Sequence, residues 1–233
     1  MANPDNQSME NIITVDGPSG SGKGTISLLL SQKLGWHLLD SGAIYRVVGQ
    51  AVLINGVSLD DHGAVAETAE NMNISFRINS ETNEIDPYLD NENLSKKIRT
   101  DEAGQLASHV ARIPAVRAAL LTKQRSFASE PGLIADGRDM GTVVFPAAKV
   151  KIFLTASAEC RAKRRYEQLK NKGVSANIRA LLDSIKLRDE RDKNRAIAPL
   201  VPAQDALVID SSDMSIEAVL DQILDYSSNR LKL

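Results

Sequence analysis

The run Ile12-Ile13-Thr14-Val15-Asp16-Gly17-Pro18-Ser19-Gly20-Ser21-Gly22-Lys23-Gly24-Thr25 decides how the rest of the chain is read. Its first five residues predict a buried strand, the Gly/Ser-rich stretch a turn, and the residues from about Gly22 through Leu34 a helix. Such a turn aims successive backbone N–H groups at one point, and the helix N-terminus adds partial positive charge there. Glycines let the backbone approach closely and take positive φ. Lys23 supplies a full charge for the outer phosphates of a ligand. The match to the P-loop pattern has one departure: Gly24 stands where Ser or Thr normally follows the lysine, and Thr25 comes one place later. A Gly/Ser-rich stretch by itself can be only a turn. Between this strand and this helix, Gly17, Pro18, Ser19, Gly20, Ser21, Gly22, Lys23, Gly24 and Thr25 are read as a site for a nucleoside triphosphate or something very like it.

Composition narrows the setting. The 233 residues suit one α/β core with an insertion, and their formal net charge of −2 argues against polynucleotide binding, so any basic site must be local. The single Cys160 excludes an internal disulfide and fits a reducing compartment; without a supporting cysteine signature it reads as an incidental helix residue. No apolar run approaches the ~18 residues of a membrane span, and the polar Met1–Glu10 lacks the apolar core of a signal peptide. The expectation is a cytoplasmic protein with a flexible tail at 1–10, bound neither to membrane nor to a nucleic-acid polymer. With no heptad seam or long exposed apolar stripe, a monomer is the default.

Beyond the first helix, Trp36-His37-Leu38-Leu39 is a short apolar run, and a helix capped by Asp40 or Ser41 continues to the Asn55-Gly56 turn. Ala64–Asn71 is helical in composition. Then Ile74, Phe76 and Ile78 alternate with polar residues, a turn-rich stretch follows around Ser80–Asn83, and Ile85, Tyr88 and Leu89 come after it. This predicts a small antiparallel hairpin unit over roughly 73–100. Residues 101–127 are helical, broken or restarted at Pro114. Strands are expected at 132–136, 150–154 and 206–210, and helices at about 158–170, 177–194 and 215–226. Short apolar strands alternating with helices imply a parallel sheet covered on both faces.

Several side chains carry candidate chemistry. Asp136 ends an apolar strand, where the magnesium-associated acid of P-loop proteins is expected, although a strand-terminal Asp also commonly forms turns or caps helices. Arg138 and Asp139 follow it directly, on the connection where α/β ligands bind. Arg188, Asp192 and Arg195 are spaced by four and three residues, so they share one helix face. Two readings stand side by side for them: a solvated face of weak ion pairs, or two arginines flanking one carboxylate to hold a phosphate and a sugar hydroxyl of one nucleotide. Arg161, Lys163, Arg164 and Arg165 form a basic cluster that is either ordinary surface or what a closing lid needs. Arg46, after Asp40-Ser41-Gly42, is a further candidate phosphate ligand.

Taken together these segments resemble bacterial cytidylate kinases. Lys-Gly-Thr after the glycine-rich turn is the form common in small nucleoside monophosphate kinases. The runs Trp36–Arg46, Gly132-Leu133-Ile134-Ala135-Asp136-Gly137-Arg138-Asp139-Met140-Gly141-Thr142-Val143-Val144-Phe145-Pro146 and Arg191–Pro202 add the specificity. The resemblance spans the chain from about Ile12 to the last helix and is poorest around 57–95. It implies an α/β P-loop nucleoside monophosphate kinase fold: a parallel sheet flanked by helices, a small antiparallel insert and a short helical lid. The core is then expected at about 11–60, 101–157 and 196–233, the monophosphate-binding insert at about 61–100 and the lid at about 158–195. Lys23, Arg138, Arg188 and Arg195 are implied as the catalytic cations. Ser41, Arg46 and Arg138 resemble monophosphate-side phosphate ligands, with Arg195 near the transferring phosphate. Ser108, Arg117 and Asp139 resemble cytosine readers, and Arg188 and Asp192 ribose-side contacts. Arg161 and Arg165 resemble a pair used on the ATP side. Mg²⁺ is the implied cofactor, held by Thr25 and, through water, by Asp136.

The implied reaction is direct transfer of the ATP γ-phosphate to CMP or dCMP, with no covalent intermediate. Two rivals remain at this stage. One keeps the P-loop but changes the acceptor to another nucleoside monophosphate or a small metabolite. The other is a P-loop switch; no Asn-Lys-x-Asp guanine-reading signature is present to favour it.

Overall fold

The computed structural model describes residues 11–79, 85–171 and 173–231. The expected tail at 1–10 and the turn-rich stretch around Ser80–Asn83 lie outside the described residues. In chain order the elements begin with β1 (Ile12–Asp16), α1 (Lys23–Leu34), β2 (His37–Asp40), α2 (Ser41–Ile54) and α3 (His62–Asn71). Next come β3 (Ile74–Ile78), β4 (Ile85–Leu89), β5 (Glu92–Asn93), α4 (Ser95–Ile98), α5 (Asp101–Val110) and α6 (Pro114–Arg125). The chain then forms β6 (Leu133–Gly137), a π-helical turn (Met140–Val144), β7 (Val150–Thr155), α7 (Ala158–Asn171), α8 (Ile178–Lys193), β8 (Leu207–Asp210) and α9 (Ile216–Ser228). The described residues divide into two compact units, one from Met1–Leu39 with Phe127–Leu233 and the other Asp40–Ser126. The second unit thus contains α2, α5 and α6 as well as the stretch 61–100 expected as an insert.

The first unit is built on a five-stranded sheet of order β2-β6-β1-β7-β8. β1 lies at its centre, parallel to β6 on one side and β7 on the other, and β8 continues the parallel run beyond β7. Its five residues are all buried, as a strand with neighbours on both edges requires. Ile13 and Val15 face a core shared with Ile26 and Leu30 of α1 and Val219 and Ile223 of α9. Thr14 and Asp16 point the other way by strand alternation. There the π turn settles on them: a Cβ at Gly141 would lie 2.9 Å from Thr14 Oγ1.

In the second unit, α2 starts where Asp40 accepts the Ala43 N–H at 2.9 Å, which makes Asp40 rather than Ser41 the cap of the two that the sequence offered. Midway along α2, Gly49 lets α5 approach, since a Cβ there would come within 2.7 Å of Leu106 Cγ. Pro114 restarts the helix as the first residue of α6. The small sheet has three strands, order β3-β4-β5, rather than the two expected. Asp90 (φ 48°) and Asn91 (φ 69°) make the β4–β5 connection, a two-residue turn that needs positive φ at both central positions. Asp86 gathers this region. It accepts from Ser95 Oγ at 2.6 Å, Asn79 Nδ2 at 3.0 Å and Asn93 Nδ2 at 3.2 Å, and those bonds, Ser95 foremost, hold its carboxyl below the usual range.

Lys123 of α6 closes the C-terminal end of α3, its ammonium donating to the carbonyls of Ala69, Glu70 and Met72 at 3.4, 3.1 and 2.6 Å. These are carbonyls that a helix end leaves without intrahelical partners. Lys123→Met should therefore destabilise the protein by about 1–2 kcal/mol. Thermal unfolding should show Tm lowered by roughly 2–6 °C. An unchanged Tm would mean that water satisfies those carbonyls equally well.

Candidate active site

In the first unit the chain leaves the sheet at Asp16 and passes through Gly17, Gly20 and Gly22, at φ 148°, 80° and 97°, before α1 begins at Lys23. Gly17 is required by space as well: a Cβ there would sit 1.9 Å from the Leu154 carbonyl oxygen of β7. The loop is held from behind by Ser211, just past β8, whose hydroxyl oxygen lies 3.1 Å from both Ser21 O and Thr155 O, its one proton shared between the two carbonyls. Lys23 is 6% exposed, and its ammonium donates to Pro18 O at 2.9 Å, so a full positive charge is held inside the curl of the loop. The helix N-terminus and this ammonium make an anion seat.

Asp136, buried on β6, carries its carboxylate to the first turn of α1, with Oδ2 3.7 Å from where a Gly24 Cβ would be. Thr25 is exposed on that same turn. A carboxylate and a hydroxyl beside a phosphate seat are hard oxygen donors of the kind Mg²⁺ takes, with water and phosphate oxygens completing its shell. Among the described residues no three His, Cys, Asp or Glu side chains gather into a metal cluster.

Beyond β6 the chain places Arg138 and Asp139, and α8 contributes its charged face. Arg138 Nε donates to Asp192 Oδ2 at 3.2 Å, and Arg138 Nη1 to Gly137 O at 3.1 Å. Arg195 pairs with the other oxygen, Asp192 Oδ1. Asp192 is 1% exposed, so this is not the solvated face that sequence left open. Burial pushes the Asp192 carboxyl up, but the charges of Arg138, Arg195 and Arg188 outweigh it and hold the group below the usual carboxylate range. Three arginines share the charge of one buried carboxylate, and guanidinium groups so gathered suit a phosphate. The sharp turn after α8 is tied to the same residue: Leu200 N–H donates to the Asp192 carbonyl at 2.9 Å, and Ala198 takes positive φ.

The α7 cluster divides by role. Arg161, 4% exposed, donates to Ala156 O at 2.9 Å and Ser19 O at 3.2 Å, and grips Asp189 of α8 through both terminal nitrogens at 2.9 and 2.5 Å. It thereby ties the loop to α8. Arg164, which sequence reading left in the cluster without a role, donates to Ser21 O at 3.2 Å and Ser211 O at 2.6 Å and lies beside Gly22. Arg165 is half-buried on the same helix and Lys163 is exposed.

The second unit carries the remaining candidates. Ser41, buried at the start of α2, donates to Gln124 Oε1 at 2.7 Å. One turn on, Arg46 Nη1 donates to Ile98 O at 2.5 Å and Thr100 O at 3.2 Å, which fixes its guanidinium near the α4–α5 junction. Ser108 is buried on α5. Arg117 of α6 stands 5.9 Å from the Tyr45 ring centroid, a cation–π distance.

Sequence reading missed Asp16. It is 5% exposed and takes the Met140 and Gly141 N–H groups at 2.8 Å each. Burial pushes its carboxyl up to about 6, with the Asp139 charge adding to the rise and the two N–H groups and Lys23 opposing it. The signal that singled out Asp136, an acid ending an apolar strand, applies equally to Asp16. Asp189 and Ser211 had no such signal, because their partners lie 28 and 190 residues away.

The family described as cytidylate kinase matches residues 13–229. A cytidylate kinase of Colwellia psychrerythraea is 56% identical over 220 residues, covering 94% of this chain and 97% of that protein. One from Aeromonas hydrophila is 55% identical over 223 residues, covering 96% of each. One from a Marinomonas species is 56% identical over 212 residues, covering 91% of this chain and 93% of the relative.

Proposed function

The chain belongs to the cytidylate kinase family, and on that premise we propose that it transfers the γ-phosphate of ATP to CMP or dCMP, giving ADP and CDP or dCDP. Membership makes it a nucleoside monophosphate kinase that uses ATP. The observation that best supports the finer reading is the Arg138–Asp192–Arg195 cluster around a buried carboxylate, carried by the same unit as the P-loop. A phosphoryl group in transit spreads negative charge over its equatorial oxygens, and positioned cations are what stabilise it. Lys23 and the loop N–H groups would hold the ATP phosphates, and Arg138, Arg188 and Arg195 the charge that develops between donor and acceptor. Mg²⁺, with Thr25 and a water on Asp136 as its protein-side contacts, would supply further charge neutralisation. The acceptor phosphate oxygen attacks in line, and no covalent intermediate is needed.

On the acceptor side, Ser41 and Arg46 are proposed as phosphate ligands and Ser108, Arg117 and Asp139 as readers of cytosine. Arg188 and Asp192 are proposed ribose-side contacts, and Arg161 and Arg165, now with Arg164, ATP-side supports. Cytosine offers an amino donor at N4, which a carboxylate such as Asp139 accepts; the O4 of uracil would face that carboxylate with two acceptors opposed. A buried polar mismatch of this kind costs about 1–3 kcal/mol or more. The reaction is assigned to the cytoplasm, where ATP and pyrimidine nucleotides meet; no helix among the described residues is long and apolar enough to cross a membrane.

The test is phosphoryl transfer from Mg-ATP with CMP, dCMP, UMP, AMP or no acceptor. Rapid CDP and dCDP formation, slow use of UMP and little ATP turnover without acceptor are expected. Preferential use of AMP or UMP would transfer the reading to another monophosphate. Acceptor-independent hydrolysis would make the protein a switch-like ATPase.

A further inference from the structure

The π turn Met140–Val144 begins directly after Asp139, and its first N–H groups have no acceptor within the turn. Asp139 stands at the N-cap position, where an aspartate ordinarily accepts such groups, yet its side chain makes no capping bond. The cap comes from another strand. Asp16 Oδ1 takes the Met140 N–H and Asp16 Oδ2 the Gly141 N–H, each at 2.8 Å. Both bonds are buried, and both bind the residues that follow Asp139 to the last residue of β1. The seat is tight as well as bonded. A Cβ on Gly141 would meet Thr14 Oγ1 at 2.9 Å and Lys151 Cδ at 3.2 Å, while one on Gly137 would meet Met140 Cγ at 2.7 Å. The backbone on either side of Asp139 thus has little freedom, and one carboxylate of β1 fixes its direction.

We propose that Asp16 is a specificity-positioning residue: by capping the π turn in place of Asp139, it aims the Asp139 carboxylate at the acceptor base and so enables selection of a base bearing an exocyclic amino group. The inference rests on the reading of Asp139 as the base reader. Both carboxylate oxygens of Asp16 are occupied by backbone N–H groups of the π turn, the contacts of a group that fixes backbone. Asp16 is also the residue just before Gly17, so one side chain joins the strand feeding the triphosphate loop to the segment that reads the acceptor.

Four proteins test this: the unaltered enzyme, Asp16→Asn, Asp139→Asn and the double variant, with kcat and KM for CMP, UMP and ATP. Asparagine offers one acceptor where two N–H groups need two. In Asp16→Asn the CMP/UMP ratio of kcat/KM should fall about tenfold or more. The loss should appear mainly in the KM for CMP, with KM for ATP changed less than about threefold. In the double variant the ratio should fall no further than in Asp139→Asn alone, because the two residues act through one carboxylate. A ratio unchanged in Asp16→Asn but lowered in Asp139→Asn overturns the role of Asp16 and leaves the base reader standing. A ratio unchanged in Asp139→Asn, or an unaltered enzyme indifferent to the base, overturns the base-reading assignment itself. Should Asp16→Asn not fold, Gly141→Ala keeps both carboxylates and displaces the seat; a lowered ratio supports the inference, and an unchanged one ends it.

Discussion

Lys23→Met should slow CDP formation by about 10³-fold while the chain stays folded, a loss of ~4 kcal/mol of transition-state stabilisation. The ammonium is buried, and its contact with Pro18 O places it inside the loop proposed to receive the phosphates. Methionine matches its length and fills the same space without charge. What is lost is the full charge proposed to meet the γ-phosphate as negative charge spreads over its oxygens. The folded state should suffer far less. Pro18 O loses one donor, worth about 1 kcal/mol, and the buried Asp16 loses a favourable cation. The measurement is steady-state transfer from Mg-ATP to CMP beside a thermal melt. A folded Lys23→Met enzyme with near-normal kcat would remove the loop lysine from the chemistry and with it the proposed mechanism.

Much of the scaffold that presents Lys23 was legible in the sequence. β1, the glycines and α1 could be read because each follows from local chemistry: an apolar run that must be buried, positions that need positive φ, and an amide-rich helix start. The cap at Asp40 and the restart at Pro114 are equally local. Where the reading fell short, the cause was short range or long range. β5 has only two residues, too few for an alternation pattern, although Asp90-Asn91 carried a turn signal that was passed over. The π turn spans five residues and has no periodicity of its own. Arg188 and Asp192 could be placed on one face of α8, but Arg195, expected on the same face, lies just past the end of the helix. The burial of Asp192 could not be read either, because its partner Arg138 arrives 54 residues earlier in the chain. Arg164 and Arg165 look alike in sequence, and only the positions of Ser21 and Ser211 give Arg164 its contacts.

Asp192→Asn should lower kcat/KM for CMP by about 10²–10³-fold and destabilise the protein by about 3 kcal/mol. The side chain is nearly inaccessible and anchors two arginines directly, one from the β6 connection and one from the end of α8. Asparagine keeps the shape but not the charge. Arg138, Arg188 and Arg195 then lose the carboxylate they share, and their mutual repulsion, less well screened, should displace the groups proposed to hold phosphate. Stability and catalysis would be lost together for that reason, but they separate on titration. Because the folded-state pKa of Asp192 is depressed below its ordinary value of 3.8, its contribution is fully present above that value and is lost as pH falls through the folded pKa. The gap in unfolding free energy between the unaltered protein and the Asp192→Asn variant should therefore be flat near neutrality and narrow only in strong acid. A gap that already closes at about pH 6 would mean that Asp192 is not held ionised by its arginines. A lowered Tm with unchanged CMP kinetics would make the cluster a structural tie alone, and the acceptor phosphate would have to be sought among Ser41 and Arg46 of the other unit.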